Sequence, residues 1–174
     1  MTSIKYITLL LTISLALSGC VDSNPNLTAD GEDMLESHLS YTDESVQNYQ
    51  DTVYIPIYSD IYSEHRLKST LLTATLSIRS TSIKDTTYIN DIDYYDTQGK
   101  LVKSLVSKTL ILPPMQSIDY VIDRDDTSGG TGANFIVTWG AHRDTKPMFQ
   151  AVMIGTTGQH GLSFVTNGIS IKQQ

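Results

Sequence analysis

The sequence predicts an all-β fold, an antiparallel sandwich of about eight or nine strands, and three observations carry that prediction. From Thr52 onward, short runs of β-branched and aromatic residues recur at close spacing, with Gly, Pro, Asp and Asn between them. Within the runs apolar residues alternate with polar ones, the period of a half-buried strand. No stretch of this region has the spacing of a long amphipathic helix.

Taken in order, Thr52 to Ser59 sets Val53, Ile55 and Ile57 against Tyr54, Pro56 and Tyr58. Pro56 has no N–H for a ladder, so this run is expected at an edge or a bulge. Thr70 to Arg79 has the cleanest alternation, with Leu72, Ala74, Leu76 and Ile78 on one face. Tyr88 to Tyr95 is expected to pair with Leu101 to Val106 across Asp96-Thr97-Gln98-Gly99, where glycine suits a left-handed turn position. Leu110 to Leu112 ends at Pro113-Pro114, and Ser117 to Asp123 turns Ile118, Tyr120 and Ile122 inward. Asn134 to Gly140 places Phe135, Val137 and Trp139 on one face, which makes Trp139 a core residue. Met148 to Ile154 is expected to return antiparallel beside it across a seven-residue connection. Leu162 to Thr166 and Ile169 to Ile171 complete a sandwich of immunoglobulin-like appearance.

The N-terminal third is different in kind. Lys5 and the apolar run Tyr6 to Ala16 fit residues 1–19 as an export signal, too short for a comfortable membrane span. Leu17-Ser18-Gly19-Cys20 looks like a bacterial lipobox, and Cys20 is the single cysteine of the chain. Lipidation there by two or three fatty acyl chains of the palmitate type would anchor the protein stably, where one chain alone binds only marginally. Val21 follows where an Asp would resemble an inner-membrane retention signal, so in an organism with two membranes the expected address is the periplasmic face of the outer membrane. From Val21 to Asp51 there are eight acidic residues and no Lys or Arg, which predicts a solvated tether over 20–51 with at most a short helical turn near Met34 to Leu39.

That leaves residues 52–174 as one domain. The chain has 12 basic and 19 acidic residues; without Lys5 and the eight tether acids, 11 of each remain. A neutral domain on an acidic tether offers no basic face, so nucleic acid is excluded as a partner.

One stretch gathers permissive backbone and polar groups. Asp126, Ser128, Gly129, Gly130, Thr131, Gly132 and Asn134 form a glycine-rich loop that opens into a strand. Such a loop can turn several N–H groups into one concavity and hold an anion. A nucleotide fingerprint needs the reverse order, strand then loop then helix, and is absent. If the strands on either side of 141–147 are neighbours, Thr156, Gln159 and His160 in a second glycine-rich loop meet the first at the same end. His142 and Asp144 lie at the far end, roughly 20 Å away along a strand of about seven residues. No two histidines therefore share a metal, and no cofactor is implied. Asp123, Asp125 and Asp126 do not have EF-hand spacing. The tyrosines, Tyr54, Tyr58, Tyr62, Tyr94 and Tyr95 among them, are at home in sheets.

The strings V-Y-I-P-I-Y-S-D-I-Y (53–62), T-L-S-I-R (75–79), D-Y-Y-D with the later G-K (93–100), S-G-G-T-G-A-N-F-I-V (128–137) and A-V-M-I-G-T (151–156) together resemble the bacterial domain-of-unknown-function family numbered 3124. The resemblance spans nearly all of 52–172. It implies a small exported bacterial domain with no assigned activity and supplies no catalytic residues. The expected function is a non-enzymatic binding module, anchored in the envelope by its N-terminal lipid and facing an envelope protein or small ligand. The alternative is a hydrolase or anion-binding site at the two loops, with Ser128 or Thr131 as polar actor and His160 as base.

Overall fold

The computed structural model describes residues 39–42, 47–63, 65–143 and 145–171. The export signal, Cys20, and all but the last residue of the expected helical turn lie outside these residues, as does most of the tether. Twelve strands form among the described residues: β1 (Ser40–Thr42), β2 (Tyr49–Pro56), β3 (Asp60–Tyr62), β4 (Ser69–Arg79), β5 (Thr87–Tyr95), β6 (Leu101–Ser104), β7 (Thr109–Leu112), β8 (Ser117–Ile122), β9 (Asn134–Ala141), β10 (Met148–Thr157), β11 (His160–Asn167) and β12 (Ile169–Ser170). Every pairing is antiparallel. One sheet runs β1-β7-β5-β9-β2-β12 with β6 also on β5; the other runs β11-β10-β4-β3 with β8 also on β4.

Alternation in the sequence becomes the core between the sheets. Leu72, Ala74, Leu76 and Ile78 of β4 are buried, as are Val53 and Ile55 of β2, Phe135, Val137 and Trp139 of β9, and Phe149, Ala151 and Met153 of β10. Burying each large apolar side chain contributes about 1.5–3 kcal/mol. Aromatic pairs pack in this core: Tyr94 lies 5.3 Å from Phe135 within one sheet, and Trp139 lies 6.1 Å from Phe149 across the two, measured between ring centroids.

β5 breaks its own alternation. Thr87 and Ile89 face inward, then Ile92 and Tyr94, and the register against β9 slips between Ile89 and Asp91. Asn90 is the extra residue of this bulge. Its amide exchanges hydrogen bonds with Gln47, Gln47 Nε2 donating to Oδ1 at 3.0 Å and Asn90 Nδ2 donating to Gln47 Oε1 at 2.9 Å.

Gln47 belongs to the stretch whose composition predicts a tether, and that boundary needs correction. β1 pairs with β7, and β2 starts at Tyr49 rather than Thr52. The unit that contains the sandwich begins at Leu39. Acidic composition hid this because Asp51 occurs within a strand, held there by ladder pairing to Trp139. β1 and β3 are too short to show any period, and with them the strand number reaches twelve, above the expected eight or nine.

Pro56 is last in β2. Ile57 N donates to Ala133 O at 2.9 Å, so odd-numbered amides face the β9 side and the Pro56 nitrogen faces the other way. On that side β12 reaches only Val53 and Tyr54, so Pro56 sits just past the paired stretch.

A second correction concerns β9 and β10, which are not neighbours. β9 pairs with β2 and β5, while β10 pairs with β4 and β11 in the opposite sheet. Their connection, residues 142–147, crosses the sandwich, about 10 Å from layer to layer, a span six residues cover as easily as a hairpin. The central four strands pair as B with E and C with F do in an immunoglobulin domain, β4 with β8 and β5 with β9. The flanking strands β2 and β10 have exchanged sheets relative to that order.

Candidate functional site

The first glycine-rich loop is built by short-range chemistry. Asp126 Oδ1 accepts from the Ser128 amide at 2.9 Å and from Ser128 Oγ at 2.5 Å, a turn closed by its own side chain. A 3-10 turn over Gly130–Gly132 follows, with Gly130 at φ 74°. Thr97, in the β5–β6 turn, then clamps the loop. Its amide and its Oγ1 donate to Gly129 O at 2.9 and 2.8 Å, and Oγ1 accepts from the Gly132 amide at 2.9 Å. Gly130 O accepts from the Ser59 amide at 3.0 Å. The Gly132 N–H, which an anion would need, is thus spent inside the protein. Thr131 is half-buried, and Asn134 enters β9 opposite Pro56 and Tyr95.

The second glycine-rich segment is mostly strand. β10 runs to Thr157, paired with His160, and a tight turn through Gly158, at φ 58°, and Gln159 starts β11. Thr156, Gln159 and His160 are exposed. The two segments do share one end of the fold. Gly130 meets Ser59, Leu72 N donates to Ser59 O at 2.8 Å, and Leu72 pairs with Gly155. The first, however, crosses from β8 in one sheet to β9 in the other while the second is the β10–β11 hairpin turn, and Ser128 Oγ is turned to Asp126 rather than to His160. Among the described residues no three His, Cys, Asp or Glu side chains gather closely enough to hold a metal ion.

A concave site lies at the opposite end, where the edge of the sandwich gapes. Tyr49, Asp51 and Val53 continue the inward, odd-numbered face of β2, and with Trp139, Phe149 and the 145–148 segment they line a groove of about 520 Å³. Asn167, Gly168 and Ser170 form its other side, where the chain passes from β11 to β12. That passage is tight: Gly168 N donates to Phe149 O at 2.8 Å, and a Cβ on Gly168 would lie 2.6 Å from Val53 Cγ1. The groove is open to solvent, with an apolar floor and a few polar groups at its sides.

Its polar groups are unevenly satisfied. Asp51 Oδ1 accepts from its neighbour's amide, Thr52 N, and from Ser170 Oγ, both at 2.8 Å. Asn167 Oδ1 accepts from Gln150 Nε2 at 2.9 Å. Trp139 Nε1 and Thr145 Oγ1, like Ser80 Oγ and Thr87 Oγ1 away from the groove, are shielded from solvent and have no hydrogen-bond partner among the described residues. The alternation of Val53, Ile55 and Ile57, extended backward by one step, would have marked Asp51 as an inward-facing carboxylate. Lys146, Asn167 and Ser170 carry no such signal.

A family model described as "Protein of unknown function (DUF3124)" matches residues 50–171. No curated protein matches the chain. Among solved structures, a Thermotoga maritima protein designated 1070 is similar at 14% identity and a TM-score of 0.40, over 70% of this chain and 95% of that one. The chain belongs to the DUF3124 family.

Proposed function

We propose that this family member is a lipid-anchored bacterial envelope protein whose sandwich binds a small ligand in the edge groove and catalyses no reaction. The observation that carries the proposal is the groove itself, where the apolar surface of Val53, Trp139 and Phe149 lies beside the half-buried carboxylate of Asp51 and the exposed Lys146 and Ser170. The anchor rests on Leu17-Ser18-Gly19-Cys20 and on the acidic, Lys- and Arg-free stretch behind it.

Hydrolysis at the glycine-rich loops is the weaker reading. A nucleophile needs a base within hydrogen-bond reach, and the Ser128 hydroxyl is already donated to Asp126. Trp139 is the single tryptophan of the chain, so its emission reports on the groove directly. The protein purified from its own membranes should carry a small molecule visible by native mass spectrometry, and removing it should shift the Trp139 emission. Ser170→Trp, which fills the groove from an exposed position, should come out empty. A wild-type protein that retains nothing, and whose emission no fraction of the envelope's small molecules alters, would sink the proposal.

A further inference from the structure

We infer that β11 is an interface strand through which two copies of this chain pair, edge to edge and antiparallel, about a two-fold axis; the inference does not depend on the groove. Among the described residues β11 is bonded to β10 on one side and to no strand on the other. Its hydrogen bonding has a fixed parity. The two-residue turn over Gly158 and Gln159 makes Thr157 and His160 a closing bonded pair, so even-numbered residues of β11 exchange bonds with β10. Two contacts agree. Leu72 N, opposite Gly155, donates to Ser59 O on the far side of β4, which leaves Gly155 to bond Leu162, and Gly168 N donates to Phe149 O. The amides and carbonyls of Gly161, Ser163, Val165 and Asn167 therefore point to the free edge, in residues that are all exposed.

A bare row of this kind is a template for a further strand, and proteins guard it with shortness, charge, proline or a bulge. The other edges of this sandwich are guarded. β1 and β3 have three residues and β12 two, while β6 has four with Lys103 and β8 carries Asp119. β11 has eight residues, none of them Asp, Glu, Lys, Arg or Pro, and its register with β10 runs without a slip. The strand that fits there is extended and uncharged, and a second β11 is such a strand, with no like charges brought opposite each other. It is also held straight by its own hairpin, whereas an unstructured peptide would lose backbone entropy at every residue on joining the sheet. On the outer face the row Val121, Thr75, Val152 and Val165 runs out at this edge, with Val165 54% exposed, so a second copy covers its apolar end. Two-fold pairing uses both bare edges, and the strands left at the ends of the joined sheet, β3 and β8, are short or charged, so assembly stops at two.

The test follows the full-length protein in a large excess of detergent micelles, so that no micelle holds two copies by chance, using sedimentation equilibrium and amide hydrogen exchange at rising protein concentration. A monomer–dimer equilibrium is expected, with exchange at Gly161, Ser163 and Val165 slowing as the dimer forms. Leu162 and Phe164, already bonded to β10, should exchange slowly at every concentration. Ser163→Pro removes an N–H that no β10 carbonyl uses, and Val165→Lys puts a charge at the edge; each should weaken association by about tenfold or more and leave the fold intact. Loss of folding in Ser163→Pro would show that this N–H is bonded within the sheet and would overturn the parity, and the inference with it. A protein that stays monomeric would also overturn the inference, as would a dimer that Val165→Lys does not weaken. Open-ended assembly beyond two copies would do the same, because pairing about a two-fold axis closes.

Discussion

The hydroxyl of Tyr94 occupies the space that a side chain on Gly129 would fill. A Cβ there would also fall 2.7 Å from Ser59 Oγ, which itself shares a 3.0 Å hydrogen bond with that hydroxyl in the buried interior. Gly129→Ala should therefore destabilise by about 1–3 kcal/mol, the usual cost of overpacking. Tyr94→Phe removes the clashing atom at about 1 kcal/mol for the lost hydrogen bond. The double variant should then be less destabilised than the sum of the two singles. Urea denaturation of the four proteins checks this, and simple additivity would mean that the two residues do not meet.

Glycines elsewhere in the second half of the chain separate by the same geometry. At Gly168 a Cβ would meet Val53 Cγ1 at 2.6 Å, Phe149 Cβ at 2.9 Å and Ile55 Cγ1 at 3.1 Å, where β11 hands over to β12. At Gly161 nothing lies within 4 Å. Gly168→Ala should cost about 1–3 kcal/mol, while Gly161→Ala, at an exposed strand position, should stay within about 0.5 kcal/mol of wild type. Equal effects in a thermal melt would contradict the crossing at Gly168.

Strand identity was legible because burial on one face forces a period of two, which Leu72 to Ile78 and Phe135 to Trp139 display without interruption. Partner choice was not, because β9 and β10 have the same alternation whether they share a sheet or face each other across the core. The glycines of 128–132 were visible, but their use was not: Thr97, some thirty residues earlier, takes the hydrogen bonds that an isolated loop would offer to a ligand. The groove was hidden for a related reason. It depends on Asp51, Trp139, Lys146 and Ser170 converging from distant parts of the chain, and the one local clue, the parity of Asp51, was masked by the acidic stretch around it.

The corrected domain start makes a measurable claim. Gln47 exchanges two hydrogen bonds with Asn90 at the β5 bulge, and Gly140 is packed beneath it, its missing Cβ 2.7 Å from Gln47 Cδ. Gln47→Ala should cost about 1–2 kcal/mol, since Asn90 keeps only the 3.2 Å bond from Thr109 Oγ1. A chain shortened to start at Thr52 should melt below one that starts at Leu39. Identical melting would return residues 39–51 to the tether.

The proposed anchor depends on one sulfur. Cys20→Ser should abolish incorporation of labelled fatty acid and move the protein from the membrane to the soluble fraction, because a hydroxyl does not take the place of the thiolate in thioether formation. Melting of the sandwich should be unchanged, since Cys20 precedes the unit that begins at Leu39. A variant that stayed with the membrane would mean that something other than the lipid holds it there.

Trp139 joins the core to the groove, and two substitutions separate its roles. The ring is 3% exposed and packs against Tyr49 at 5.4 Å and Phe149 at 6.1 Å, so Trp139→Ala should cost about 3–5 kcal/mol in urea denaturation. Trp139→Phe keeps most of the buried area and deletes an N–H that has no partner, so relief of its desolvation penalty offsets part of the lost packing. The Phe variant should therefore lose about 1 kcal/mol, well under half the loss of the Ala variant. A loss below about 1 kcal/mol for Trp139→Ala would place the ring outside the core. Equal losses for the two variants would show that the indole N–H is already bonded within the protein.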